Sequence, residues 1–248
     1  MFNLQEKRIL IIHPYDHTTL FLETINNKLK LVYEHDLHYF KIETNDNSHN
    51  LCIQRIVSHP SEGLIVFLGH GRSNALNGSR GDEFFPGVEF EDSAAFPDLY
   101  YFKEQFISKI NVHVFRGKKV FCLACNSNDK IADYAMEKGA VTFLGFGNIP
   151  TSKEEFIADG INNPTLNLIN AMKSELNYII SRSLEYGISK SYNFEQLFNL
   201  IHFITNQRIT DYLINQKNDE DRYILTDYLY LLKKEIKIFG DKKIKLIE

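Results

Sequence analysis

Short apolar runs alternate with helix-like patterns over the first 150 residues of the chain. Runs rich in β-branched residues and leucine are typical of buried strands, and they predict strands at residues 8–13, 37–42, 64–68, 120–124 and 141–144. Apolar residues at helical spacing predict helices at residues 18–31, 48–58, about 97–110 and about 129–139. This alternation predicts an α/β fold, in which helices flank a mainly parallel sheet.

The second part of the chain has a different pattern. Apolar positions follow helical spacing over residues 152–234, apart from a polar break at residues 216–221. The last residues alternate around Gly240-Asp241, which predicts a strand, a turn and a strand. We therefore predict an α/β core at residues 1–150 and a helical region at residues 151–248 whose terminal strands complete the same domain.

The composition is that of a folded protein. With 248 residues, 44% hydrophobic and 24% charged, the chain is long enough to bury a large core. The formal net charge is -4, with lysine and arginine scattered along the chain, which argues against direct binding of nucleic acid. The first apolar run is too short for a signal peptide or a membrane span. We therefore expect a soluble, cytoplasmic protein that does not bind a membrane.

The three cysteines show no spacing typical of a disulfide framework, which favours a reducing compartment. Cys52 and Cys122 are predicted to be core residues, because each lies in an apolar segment and Cys122 faces away from Cys125. Among the histidines, His13 and His17 would line a pocket at the end of the first strand or lie on the surface.

A metal site is not predicted. Three histidines, His35, His38 and His49, lack a ligand-like spacing with cysteines or carboxylates. The sequence also gives no sign of another cofactor, so we expect none.

Two residues with catalytic potential follow predicted strands. His70 comes just after the strand at residues 64–68, and Cys125 just after the strand at residues 120–124. In a parallel sheet, the carboxyl ends of the strands share one edge, where loops and helix N-termini converge. We expect Cys125 to lie directly before a helix and beside His70, which would lower the pKa of the thiol and supply a general base. The backbone N–H groups of Gly71 and Cys125 would then bind a developing oxyanion.

The segments around these two residues resemble those of the caspase-like cysteine peptidases. The sequence Phe67-Leu-Gly-His70-Gly71 is similar to their strand-then-His-Gly motif, and Val120-Phe-Cys-Leu-Ala-Cys125 to their strand-then-Ala-Cys motif. The histidine precedes the cysteine by about 55 residues, which is also typical of that group. Within it, the Gly139-Ala140 segment with the strand after it, and Phe239-Gly240-Asp241 near the end, resemble the CHAT peptidases most closely.

This resemblance implies a caspase-like sheet and a cysteine endopeptidase without a cofactor. It also implies that the protease cuts one or a few partner proteins in bacterial stress or antiviral defence, under the control of an activating protein. The chain departs from the family at Gly145-Phe146-Gly147, where Ser-Leu-Trp is common, and it has no tetratricopeptide repeats. Any sensor would therefore have to be a separate protein.

Candidate substrate-binding residues lie in the loops near the two motifs. Relatives that cut after lysine or arginine use an acidic residue in the pocket, and Asp16, at the end of the first strand, is the candidate here. Asn126, directly after the cysteine, is a second candidate. The loop after His70 carries five further acidic residues, namely Asp82, Glu83, Glu89, Glu91 and Asp92.

Two other interpretations of the motifs remain open. A catalytically silent pseudopeptidase would keep the fold and serve as a scaffold or binding module. A nucleotide-binding domain could instead use Gly69-His70-Gly71, but no Gly-x-Gly-x-x-Gly follows the first strand and these glycines do not open a helix. The protease interpretation accounts for both motifs and is therefore preferred.

Overall fold

A six-stranded sheet lies at the centre of the molecule. The computed structural model describes residues 7–85, 93–215 and 221–247. The strands are β1 (Ile9–Pro14), β2 (Leu37–Ile42), β3 (Leu64–Leu68), β4 (Gly71–Arg72), β5 (Ala75–Leu76), β6 (Ile107–Ser108), β7 (Lys119–Leu123), β8 (Thr142–Gly145) and β9 (Lys237–Gly240). The helices are α1 (Glu23–Tyr33), α2 (Asp46–Ser58), α3 (Lys130–Glu137), α4 (Lys153–Ala158), α5 (Leu166–Ser189), α6 (Phe194–Asn215) and α7 (Arg222–Glu235).

The order of strands in this sheet is β2-β1-β3-β7-β8-β9. The first five run parallel, and β9 pairs antiparallel with β8 at one edge. All residues of β1, β3 and β7 are buried, which explains why these strands are apolar except at His13 and Lys119. Strands β4, β5 and β6 form a separate small antiparallel sheet. The predicted α/β class, with a mainly parallel sheet flanked by helices and a helical C-terminal region, is thus confirmed.

Alternate residues of each central strand enter two different apolar clusters. In β1, Ile9 and Ile11 belong to the cluster beneath α5, whereas Leu10 and Ile12 belong to the cluster beneath α2. Helix α5 contributes several buried residues to the first cluster, where they pack with the residues of β1, β3 and β7. Residues from both predicted parts of the chain therefore share one core.

The helix predicted at residues 97–110 is wrong. That segment lies alongside the loop that follows His70, where Gly81 N donates to Tyr101 O at 2.8 Å and Lys103 N donates to Ser79 O at 3.1 Å. Its end forms β6, which pairs with β5. Backbone pairing between distant parts of the chain has overridden the local helical spacing.

The second strand predicted near the C-terminus is also wrong. After β9 the chain turns at Gly240, whose φ is 80°, and only Lys245 forms a single bridge, with Asn193. Carbonyl groups of this segment accept hydrogen bonds from the first turn of α6: Phe194 N donates to Ile244 O and Glu195 N to Lys242 O. The segment therefore satisfies N–H groups at a helix start that lack intrahelical partners.

None of the helices in the described ranges is long and apolar enough to cross a membrane.

Burial lowers the pKa values of three buried histidines, His13, His49 and His59, and the shift is large at His13 and His59. His13, in β1, is fully buried, with Nδ1 2.9 Å from the Tyr39 hydroxyl, and burial lowers its pKa to about 4. His59, after α2, is also buried, and burial lowers its pKa to about 4. Both histidines are therefore neutral in the folded protein at neutral pH.

We expect the folded state to lose stability as the pH falls from about 6.5 towards 4, because the unfolded chain binds protons that these two histidines do not. At pH 5 each should contribute about 2 kcal/mol less than at pH 7.5. Urea unfolding at the two pH values measures the loss, and His59→Gln should reduce it. The exposed His35 provides the control, since His35→Gln should keep the wild-type dependence. Equal stability of the wild type at pH 5 and pH 7.5 would contradict this account.

Candidate active site

His70 and Cys125 lie next to each other at the carboxyl edge of the sheet. Strands β3 and β7 pair with Leu68 opposite Leu123, and each candidate residue comes two positions later. Gly69 N donates to Leu123 O at 3.1 Å, which continues the pairing beyond the strands. Both side chains line one narrow cavity of about 20 Å³, room for about one water molecule. The fold thus brings together the two residues that the motifs predict to be catalytic.

The imidazole of His70 is held by the loop that follows β1. The Thr18 hydroxyl oxygen lies 2.7 Å from His70 Nε2, and the same hydroxyl donates to Asp16 Oδ1 at 2.7 Å. Asp16 Oδ2 is 3.7 Å from Nε2. On the other side of the ring, Glu155 Oε1 lies 3.9 Å from Nδ1. The two ring nitrogens of His70 therefore face different partners.

Cys125 is a protonated thiol in this arrangement. Burial, and secondly the negative charge of Glu155, raise the pKa of its thiol to about 12. The sulfur donates to the carbonyl of Ile149 at 3.4 Å. The expectation that Cys125 lies directly before a helix, with a lowered pKa, is wrong: α3 begins only at Lys130, and a turn separates the two. The dipole of α3 acts within its first turn and so does not reach the sulfur.

The turn after Cys125 is hydrogen-bonded to the segment that follows β8. Asn126 has a φ of 54°, a conformation that asparagine tolerates better than most residues, and its N–H donates to Gly147 O at 2.8 Å. The Ser127 hydroxyl bonds to Cys122 O and accepts from Phe146 N, each at 2.9 Å.

This packing explains the Gly145-Phe146-Gly147 sequence. A Cβ atom at Gly145 would overlap the Ser127 carbonyl, and one at Gly147 would overlap the Glu235 side chain. Between them, Phe146 is fully buried against Phe121. Gly145 thus permits close contact with the turn after Cys125, and Gly147 permits close contact with Glu235 at the end of α7.

Gly71 approaches the backbone of Cys125 closely. A Cβ atom at Gly71 would lie 3.0 Å from Ala124 Cβ and 3.2 Å from Cys125 O. Asn77 N donates to His70 O at 3.0 Å, which makes these two residues a hydrogen-bonded pair. Hydrogen-bonded and non-hydrogen-bonded pairs alternate along antiparallel strands, so the next pair, Gly71 and Leu76, is not hydrogen-bonded and the Gly71 N–H points away from β5. Within the described part of the chain, the Cys125 N–H has no backbone acceptor outside its own residue. Gly71 thus lies beside Cys125 with an N–H that β5 does not bind.

A wider cleft of about 660 Å³ opens beside His70. Its charged lining comprises four carboxylates and one guanidinium, those of Asp16, Asp82, Glu154, Glu155 and Arg80. Apolar walls come from the aromatic rings of Phe84, Phe85 and Phe102. A cleft with this excess of negative charge favours cationic groups.

The Asp16 carboxylate already accepts hydrogen bonds from Thr18 and forms an ion pair with Arg80. Its side chain is only 6% exposed; Oδ1 accepts from Thr18 N at 2.9 Å, and Oδ2 lies 3.2 Å from Arg80 Nε. Asn126 is exposed and lines neither the cavity nor the cleft. Of the acidic loop residues, Asp82 lines the cleft and Glu83 is exposed. Three others, Glu89, Glu91 and Asp92, lie outside the described residues.

The remaining candidates from the sequence are two histidines and two cysteines. His17 lines the cleft, with Nδ1 3.8 Å from Asp82 Oδ1, whereas His13 is buried. Cys52 and Cys122 are fully buried, which confirms that they are core residues.

The sequence did not point to Thr18, Arg80 or Glu155. The only local signal was the Ser152-x-x-Glu155 spacing, which forms a helix capping box at the start of α4. That spacing predicts a helix start, but it does not predict that the same carboxylate also faces His70.

Removal of the Glu155 charge should make Cys125 more reactive. Because Glu155 raises the pKa of the thiol, Glu155→Gln should lower that pKa and increase the thiolate fraction. We expect alkylation by iodoacetamide at pH 8 to become about threefold to tenfold faster. Glu154→Gln removes a neighbouring cleft charge and is the matched control, with a rate near that of the wild type. An unchanged rate in Glu155→Gln would show that the carboxylate does not act on the sulfur.

No family model, curated protein or solved structure matches this chain.

Proposed function

We propose that the chain is a cysteine endopeptidase in which His70 is the general base and Cys125 the nucleophile. The observation that carries this proposal is the position of the two side chains, which line one cavity at the ends of adjacent parallel strands. The adjoining cleft offers space for a peptide, and Gly71 lies close to the backbone of Cys125. A base, a nucleophile and oxyanion donors are the components that acyl transfer needs.

The reaction begins from the neutral thiol. His70 takes the proton as Cys125 Sγ attacks the scissile carbonyl carbon, and the N–H groups of Gly71 and Cys125 bind the carbonyl oxygen as it gains negative charge. Collapse of this adduct breaks the C–N bond, and the imidazolium of His70 gives its proton to the leaving amine. A water molecule, deprotonated by His70, then attacks the thioester, which releases the carboxylate product and restores the thiol.

The substrate is proposed to be a protein segment with a basic side chain near the scissile bond. The excess of carboxylates in the cleft supports this preference. Asp16 is paired with the guanidinium of Arg80. Among the described residues, no ion pair with lysine or arginine is found for Asp82, Glu154 or Glu155, so these three are better placed to receive that side chain.

The resemblance of the two motifs to the caspase-like and CHAT peptidases supports the same proposal. It extends the proposal to a cytoplasmic protease of bacterial stress or antiviral defence, switched on by an activating protein partner. The narrow cavity beside Cys125 fits a protease that needs such a partner, because only about 20 Å³ is open there.

A second candidate function is a pseudopeptidase that acts as a scaffold. The observation that favours it is the thiol itself, whose raised pKa of about 12 and hydrogen bond to Ile149 O make it a poor nucleophile when no substrate is bound.

A panel of peptide acyloxymethyl ketones with lysine, arginine, aspartate or leucine at the reacting position separates the two functions. We expect the lysine and arginine probes to label the wild type and the buried-cysteine control Cys52→Ala, but not Cys125→Ala. Labelling that requires lysate of the source cells would support an activating partner. An absence of labelling by every probe, with and without lysate, would overturn the protease and leave the scaffold.

A further inference from the structure

The contacts of Asp16 and Thr18 form a continuous chain to His70. Asp16 accepts two hydrogen bonds from Thr18 on Oδ1, from the backbone N–H and from the hydroxyl. The Thr18 hydroxyl oxygen in turn lies 2.7 Å from His70 Nε2. The carboxylate, the hydroxyl and the imidazole are therefore connected in that order.

The number of available hydrogens fixes the direction of each bond. A threonine hydroxyl has one hydrogen, and in this chain it goes to the Asp16 carboxylate, which only accepts. The Thr18 oxygen must then accept from His70, so Nε2 carries the proton of the neutral imidazole. The unprotonated nitrogen is Nδ1, which is not engaged by Thr18 and remains available as the base.

We propose that Thr18 is a positioning residue of this site, whose hydroxyl links Asp16 to His70 and fixes the tautomer in which Nδ1 is the base. This inference rests on the proposed protease function for its catalytic consequence. It also gives Asp16 a different role from substrate binding, since both of its carboxylate oxygens are engaged by Thr18 and Arg80. Asp16 holds the loop and polarises the hydroxyl, and it does not need to contact a substrate.

The first experiment determines the tautomer of His70 directly. In protein labelled with ¹⁵N-histidine, His70 resonances are assigned by comparison with His70→Gln, and long-range ¹H–¹⁵N spectra report which ring nitrogen carries the proton. At pH 8 we expect the wild type and Thr18→Ser to show a protonated Nε2 with a slowly exchanging hydrogen. Thr18→Val, of nearly the same shape, should lose that slow exchange, because it removes the hydroxyl oxygen that accepts from Nε2.

The same variants are then labelled with the acyloxymethyl ketone that reacts best. We expect Thr18→Val to react about tenfold to a hundredfold more slowly than the wild type, and Thr18→Ser to stay within about threefold. Thr205→Val is the matched control, because Thr205 is a buried threonine whose hydroxyl donates to Ile201 O within α6 at 2.7 Å, and it lines neither the cavity nor the cleft. It should leave both the His70 tautomer and the labelling rate unchanged.

The outcomes separate the inference from the function it rests on. A wild type with the proton on Nδ1, or a Thr18→Val variant with the wild-type spectrum and rate, would overturn the role of Thr18, and the first of these needs no variant to fold. A wild type that shows the slowly exchanging Nε2 proton but reacts with no probe would support the hydrogen-bond chain and contradict the protease.

Discussion

His70→Ala is expected to slow the acylation of Cys125 by about 10²–10⁴-fold at pH 7.5, the range typical of the loss of a positioned general base. The reason is the raised pKa of the thiol, about 12. Without a base, only about one thiol in 10⁴ would be ionised at pH 8, and the remainder would be unreactive. The measurement is the second-order rate constant for reaction with the preferred acyloxymethyl ketone.

The pH dependence of the reaction rate of His70→Ala tests this prediction more specifically. Over pH 7–10 the thiol lies well below its pKa, so the thiolate fraction, and with it the rate of His70→Ala, should rise about tenfold per pH unit. The wild-type rate should rise less steeply, because His70 already removes the proton. His113→Ala changes an exposed histidine outside the cleft and should stay within about threefold of the wild type. If His70→Ala reacts as fast as the wild type, His70 is not the base.

The central strands β1, β3 and β7 could be predicted because their side chains are buried on both faces. A strand such as β3 has no polar face, so its sequence is a short continuous apolar run that ends sharply. The segment at residues 97–110 could not be predicted in the same way. Its conformation depends on hydrogen bonds to the loop after His70, which lies about 20 residues earlier, and no local spacing records them.

The same distinction applies to the candidate site, where the residues at strand ends could be predicted and the loop contacts could not. His70 and Cys125 follow strands, and the position of a strand end in a parallel sheet is enough to place them at one edge. Their surroundings come from loops: Thr18 reaches His70 across 52 residues, and Glu155 approaches from α4. The reactivity of the thiol depends on these loop contacts, which is why its pKa was predicted in the wrong direction.

Arg208→Ala should lower the free energy of unfolding by about 3 kcal/mol, because it leaves a buried carboxylate without its ionic partner. Glu175, on α5, is only 5% exposed and is held by two hydrogen bonds from Arg208 on α6, at 2.7 and 2.8 Å. The Tyr212 hydroxyl, 3.1 Å from the same carboxylate, cannot replace the lost charge. Urea unfolding followed by circular dichroism at pH 7.5 measures the change.

Two further variants distinguish the buried charge from the loss of a side chain. Arg182→Ala removes an exposed arginine that lies 3.7 Å from Glu185, and it should cost no more than about 0.5 kcal/mol. The double variant Glu175→Leu with Arg208→Leu removes both charges and should recover most of the loss, since no unpaired carboxylate remains. A double variant as unstable as Arg208→Ala would mean that packing, not charge, determines the effect.

The same variant tests how the helical region is coupled to the candidate site. Leu176, next to Glu175 on α5, lines the cavity shared by His70 and Cys125. Because α5 packs in one apolar cluster with the central strands, we expect Arg208→Ala to unfold in a single transition. Cys125 should then become accessible at the same urea concentration at which the helix content is lost. Alkylation of Cys125 across the urea series provides the second probe. Exposure of Cys125 at a lower urea concentration than helix loss would show that the site opens independently of the helical region.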